Sequence, residues 1–258
     1  MSLLRRRRIG RGQQPQDVLS AQATQFAEDL TRTVRAVAVD CDPFTALLMT
    51  KNDGTRKFTV RQHPVDGIVL RVNGEPLLQL SVSFQRSLDG AGRYLAVDDA
   101  KIKVHAQGDR QPLFRYEYDR DAVADMPAAH IQLHAHRDAF SHVMNRAGRA
   151  SARGKRRAGS NAVPRLEELH FPVGGHRFRP CLEDVLEMLA LELGVDATPE
   201  GLEALRSGRE RWRRSQVGAV VRDAPEEAIR VLTDLGYRVR LGSLRSRPAE
   251  RTRRLRDL

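Results

Sequence analysis

Between Phe44 and His136 the apolar side chains recur at every second residue, in seven strand-like runs: 44–50, 56–62, 67–73, 77–86, 94–106, 112–118 and 129–136. The breaks between them are turn chemistry, among them Asn52-Asp53-Gly54, His63-Pro64, Asn73-Gly74-Glu75-Pro76, Leu88-Asp89-Gly90 and Gln107-Gly108-Asp109. A parallel crossover needs a dozen or more residues. Connections this short therefore predict antiparallel neighbours and a single curved antiparallel sheet.

The flanking segments read as helices. Over 16–37, Val18, Leu19, Phe26, Leu30, Val34 and Val37 fall near helical spacing, and Asp40-Cys41-Asp42-Pro43 stops the run. After residue 165, Leu182, Val185, Leu186, Leu189 and Leu193 form an apolar stripe that ends at Gly194, with Pro180 placed in its first turn. Thr198 caps a second helix running to about Val221, in which Trp212 is expected in the core and Arg209, Arg211, Arg213 and Arg214 on a solvated face. Asp223 is read as the cap of a third, Pro225 to Leu235. Its carboxylate-rich start, Asp223 to Glu227, excludes DNA reading by that helix. The fold class is α+β: an N-terminal helix packed on a curved antiparallel β-sheet, followed by a small α-helical C-terminal region. The expected organisation is a disordered basic tail (1–15), a sheet domain (16–145), a basic linker (146–165), a helical domain (166–240) and a second disordered basic tail (241–258).

Charge follows the same division. The net charge of +11 is concentrated in residues 1–14 (+5), 146–165 (+7) and 237–258 (+6), which leaves −7 for the rest of the chain. Basic flexible arms suit RNA or other nucleic acid held non-specifically through counterion release, and serve equally as solvated spacers. No run approaches the ~20 apolar residues of a membrane span. Arg5 to Arg8 resemble the start of a signal peptide, but the residues after them are not apolar, so a cytoplasmic location without membrane contact is expected. Cys41 and Cys181 fit no metal or redox spacing and read as idle thiols.

The candidate site comes from strand alternation. His130, Gln132, His134 and His136 share one face of the last strand, with Ile131, Leu133 and Ala135 on the other. If consecutive strands pair, His105 (beside Lys101 and Lys103), Arg115, Glu117 and Asp119 join that face, which is expected to be open to solvent. Three readings follow. Two imidazoles can act as general base and acid, with Arg or Lys stabilising a pentavalent phosphate during RNA cleavage without a metal. Alternatively His134, His136 and Glu117 can ligate Zn²⁺. Or the polar residues alternate because a wet sheet face demands it.

The runs Leu113-Phe114-Arg115-Tyr116-Glu117-Tyr118-Asp119 and His130 to His136 resemble the TumE-type proteins of bacterial toxin–antitoxin operons, over residues 93–138. Those are small α+β proteins with an Arg-Tyr-Asp-like strand and a downstream histidine-rich segment. The resemblance implies roles for Arg115, Tyr116, His134 and His136. The leading expectation is a bacterial cytoplasmic toxin–antitoxin component acting on RNA through the histidine face. The alternative is a non-enzymatic interaction module that docks a protein partner on its acidic helical region, with the basic flexible arms as spacers, and the third is a metal-dependent hydrolase.

Overall fold

The structure, a computed structural model, describes residues 15–50, 56–62, 67–88, 94–122, 126–135, 163, 165–168, 171–174, 176–242 and 249–256. Helix α1 (Pro15–Arg35) leads into strands β1 (Phe44–Thr50), β2 (Arg56–Gln62), β3 (Ile68–Val72), β4 (Glu75–Leu88), β5 (Leu95–Ala106), β6 (Pro112–Asp119), β7 (Ala129–Leu133) and β8 (Phe171–Pro172). All pairings are antiparallel, as the short connections among β1 to β7 require, and β8, after a long connection, is antiparallel too. The sheet order is β1-β2-β4-β5-β6-β7-β8. The 14-residue β4 pairs along its length with β5, while its other side takes β3 near its start and β2 near its end. The α+β architecture is therefore the one the alternation predicts, with β8 added at the far edge.

One tight turn and two register shifts shape the strand pairing. Asn73 and Gly74 both have positive φ (51° and 81°), the backbone of a tight hairpin turn whose twist matches its strands. Asp196, far away in sequence, accepts from both of their backbone N–H groups at 2.8 Å and so ties this hairpin to the helical region. A bulge at Gln85/Arg86 then leaves Asp98 without a cross-strand partner. Buried, its carboxylate is held by Lys57 (3.3 Å), Ser87 (2.9 Å) and Arg120 (2.8 Å). At the other end of β5 a second shift sets His105 opposite Pro112.

One apolar core joins the sheet to helices from both ends of the chain. Leu30 and Val34 of α1 meet Leu70, Leu80 and Val104 of the strands, together with Leu182, Val185, Leu186 and Leu189 of α2 (Leu182–Leu193) and Leu205 of α3 (Pro199–Asp223). Burying such an aliphatic side chain stabilises by about 1.5–3 kcal/mol. The packing is close enough that a Cβ on Gly201 would lie 2.3 Å from the Ala36 carbonyl oxygen. At the start of β1, buried Thr31 accepts from the Phe44 N–H at 2.9 Å, which closes the α1–β1 connection.

The helix ends differ in detail from the sequence expectation. The N-cap of α2 is Cys181, not a residue ahead of Pro180: its N–H donates to Asp184 at 2.9 Å, and Pro180 precedes the helix. Gly194 closes α2 in the left-handed region, as expected (φ 71°). Asp223 does not cap α4 (Pro225–Asp234), whose N-cap is Ala224. It is the last residue of α3, fully buried, with Arg177 at 2.6 Å and Arg251 at 3.5 Å. Burial beside two guanidinium groups satisfies a carboxylate better than an exposed cap does. Arg251 leads into α5 (Thr252–Arg256), a short helix within the segment expected to lack structure. Arg209 and Arg213 are not simply solvated either, since both reach Asp184 on α2. Cys41 and Cys181 are buried free thiols. No helix among the described residues is long and apolar enough to cross a membrane.

Candidate functional site

Strands β5, β6 and β7 are consecutive neighbours, so the expected polar face forms. Lys101 pairs with Glu117, and Glu117 with His130. Lys103 pairs with Arg115, and Arg115 with Gln132. Arg115 Nε donates to Gln132 Oε1 and lies 3.7 Å from Glu117. His134 follows β7, its N–H on the Leu113 carbonyl. The strand register thus brings Arg115, Glu117, His130 and His134 together, with His105 two strands away on β5. His136 lies outside the described residues. Tyr116, carried over by the family resemblance, is on the opposite face, where its ring meets Phe114 edge-on at 6.0 Å.

The exposure of β7 departs from what alternation predicts: both sides are covered at Ala129 and His130, and it is the apolar side that opens toward Leu133. His130 and Gln132 are each only 2% exposed, whereas Leu133 is 37% exposed and Ile131 is half-buried. The cause is position within the sheet. The helices cover the central strands, and the core they share reaches only as far as Phe114 and Tyr116; a separate small cluster of Tyr118, Ala128 and Ala129 covers the start of β7, and Leu133 lies beyond both. On the polar side a 3-10 turn, Leu166–Glu168, lies against the strand. An open histidine face is therefore not what the strand presents. His130 is enclosed, with Nδ1 3.1 Å from the Pro127 carbonyl oxygen and Nε2 3.3 Å from Glu117.

Burial pushes the Glu117 carboxyl up, but the hydrogen bond from His130 and the charges of Arg115, His130 and Lys101 outweigh it and hold the group below its ordinary range. A carboxyl depressed in the folded state contributes stability above its unfolded pKa and loses it as pH falls through the folded value. The loss accordingly sets in below the ordinary value of 4.5. Glu117→Gln is expected to be less stable than the wild type at neutral pH and to converge on it in acid. Urea midpoints of the two proteins across that range check this, and a gap that stays constant with pH would remove the pairing from the account.

The sequence reading missed the group that orients His134. Glu167 Oε2 sits 2.7 Å from His134 Nδ1, and Glu167 is itself held by Arg165 at 2.8 Å and Gln111 at 3.1 Å. The only signal was a carboxylate pair, Glu167-Glu168, directly after the basic linker, with nothing local to link it to a histidine 33 residues earlier. In the neutral imidazole whose Nδ1–H donates to this carboxylate, Nε2 is the acceptor nitrogen. That Nε2 is enclosed and has no partner among the described residues, and the same holds for His105 Nδ1. The two imidazoles flank β6, each with one nitrogen uncommitted. Among the described residues no group of three His, Cys, Asp or Glu is placed to hold a metal ion. The expected Zn²⁺ ligands His134, His136 and Glu117 include one outside the description, and Glu117 is engaged by His130.

Two other surfaces stand out. Trp212, expected in the core, instead lines a cleft of about 660 Å³ between the 177–180 segment, Tyr116 and α3. The helical region also ends in an apolar surface: Val217, Val221, Ile229, Val231, Leu232, Leu235, Tyr237, Val239 and Leu241 are all exposed, and α4 buries none of its residues. Compared with protein families, curated proteins and solved structures, the chain matches none.

Proposed function

We propose that the protein is a non-enzymatic interaction module that docks a protein partner through α4 and the segment following it. The observation that carries this reading is an exposed helix followed by an extended-pattern segment, 237–241, that belongs to no sheet. A short isolated helix is marginal in water, and an amphipathic one needs cover for its apolar stripe. Yet Ile229, Val231 and Leu232 are each left 38–40% exposed. After Gly236 (φ 87°), Tyr237, Val239 and Leu241 alternate with Arg238 and Arg240, all exposed. That is the period of a half-buried strand, and among the described residues 238–241 make no backbone hydrogen bond. Such a segment adds to the free edge of a partner's sheet while the helix stripe lies on that sheet. The two arginines favour an acidic edge.

The test is co-expression with the product of the adjoining gene. Copurification is expected, and it should be lost in Val239→Pro, which removes a backbone donor, and in Ile229→Asp, which charges the stripe. His134→Ala should leave it intact. Failure to copurify, or undiminished binding by both arm variants, overturns the reading.

A second reading rests on the Glu167–His134 pair: a toxin–antitoxin component acting on RNA by imidazole acid–base chemistry, with Arg115 and Lys103 toward phosphate. RNA cleavage would then survive chelator, follow a bell-shaped pH profile near neutrality and be lost in His134→Ala. Cleavage abolished by chelator and restored by Zn²⁺ would move the site to metal-dependent hydrolysis. Absence of any cleavage, with partner binding intact, would leave the interaction module alone.

A further inference from the structure

We propose that the cleft beside Trp212 binds a small aromatic carboxylate, with Arg179 recognising its charge. The space of about 660 Å³ falls in the range of small-molecule sites. Its walls supply flat apolar surface: Trp212, Tyr116, Pro180 and Val217, with Phe178, 76% exposed, beside them. Three arginines and one carboxylate, Asp184, line it; Asp184 is engaged by Arg209 and Arg213, and the arginines are not equivalent. Arg177 is answered by Asp223 at 2.6 Å and Arg213 by Asp184 at 3.3 Å. Arg179 has no carboxylate partner among the described residues. Its guanidinium stacks 3.7 Å from the Tyr118 ring centroid, lies 5.8 Å from that of Trp212 and donates to the His176 carbonyl oxygen.

A desolvated cation without a counter-charge is costly, and a bound anion relieves it. Burial pulls the Arg179 pKa down to about 10, and the Tyr118 phenol is the largest opposing influence. An aromatic body is favoured because the rings in the wall offer stacking and edge contacts. A second polar feature narrows the ligand. Gln216 also lines the cleft, and its Oε1 is enclosed with no donor among the described residues. A hydroxyl or N–H on the ring would supply one. The ligand class is thus a hydroxyaryl or N–H-bearing aromatic carboxylate.

The probe is hydroxynaphthoate, compared with its neutral amide and titrated into the full-length protein by calorimetry. Quenching of Trp212, the chain's one tryptophan, gives an independent readout. Saturable binding with one ligand per chain is expected, with the amide weaker by about tenfold or more, since hydrogen bonds to a charged group contribute ~1.5–3 kcal/mol. Arg179→Gln should bring the acid down to the affinity of the amide. Because Arg179 also packs on Tyr118, a second variant is needed that leaves the core alone. Val217→Trp, at an exposed position, should fill the cleft and abolish binding measured by calorimetry. Equal binding of acid and amide to the wild type overturns the proposal and marks the cleft as an apolar groove. Absence of binding, or binding unchanged by Val217→Trp, overturns it as well.

Discussion

Leu186→Ala is expected to lower the unfolding free energy by about 2–5 kcal/mol, and to do so for the sheet as much as for the helices. Leu186 is fully buried on α2, in the core that also holds Leu30 and Val34 of α1 and Leu80 and Val104 of the strands. Truncation removes the transfer free energy of the side chain and leaves a void that rigid neighbours on three sides cannot fill. Against a typical total of 5–15 kcal/mol this is a large fraction. The shared core further requires that β4 and β5 feel the loss. Amide exchange at Leu80 and Val104 should quicken by the same factor as exchange within α2. If strand exchange stays at the wild-type rate while α2 exchange accelerates, sheet and helices unfold separately and the single core is the wrong description.

Asp223→Ala is expected to cost about 3 kcal/mol, the lower end of the range for breaking a buried ion pair. The carboxylate is 0% exposed and receives Arg177 at 2.6 Å, with Arg251 at 3.5 Å. Arg177 and Arg251 both keep some contact with water, which softens the loss on their side. Asp223→Asn preserves the shape and one acceptor, so it should fall between wild type and Asp223→Ala. The backbone contact from Arg251 N–H to the Asp223 carbonyl (2.8 Å) survives both changes. Hence α5 should loosen rather than detach. Chemical denaturation of the three proteins reads the order directly. A loss below about 1 kcal/mol, as for exposed ion pairs, would mean that the bridge contributes little to holding the C-terminal segment.

Much of the fold was legible because its determinants are local. Alternation and turn residues placed β1 to β7 within a few residues of the observed bounds, and consecutive short connections forced β5, β6 and β7 side by side. That was enough to bring Arg115, Glu117, His130 and His134 to one face. Strand β8 was not legible, since two residues carry no period and Phe171 pairs with Ile131 forty positions earlier. Glu167, Asp196 and Asp223 were missed or misread for one reason. Each is a carboxylate that engages a group distant in sequence (His134, the Asn73-Gly74 turn, Arg177 and Arg251), and local pattern says nothing about such a partner.

The sequence by itself determined the class of fold, the approximate bounds of β1 to β7 and the side of each strand on which a residue falls, because backbone geometry converts spacing into facing; the register between strands, with its shifts at Gln85/Arg86 and Val104/His105, came from the structure. Only the tertiary structure decided which side is covered. Helices from both ends of the chain meet over the central strands and stop short of β7, so Leu133 is exposed where alternation alone would bury it. The turn carrying Glu167 reaches His134, and His130 is enclosed between Glu117, the Pro127 carbonyl and its β8 partner Pro172, where alternation would leave it wet. Burial depends on what packs from elsewhere in the chain, and a period of two residues carries no information about that.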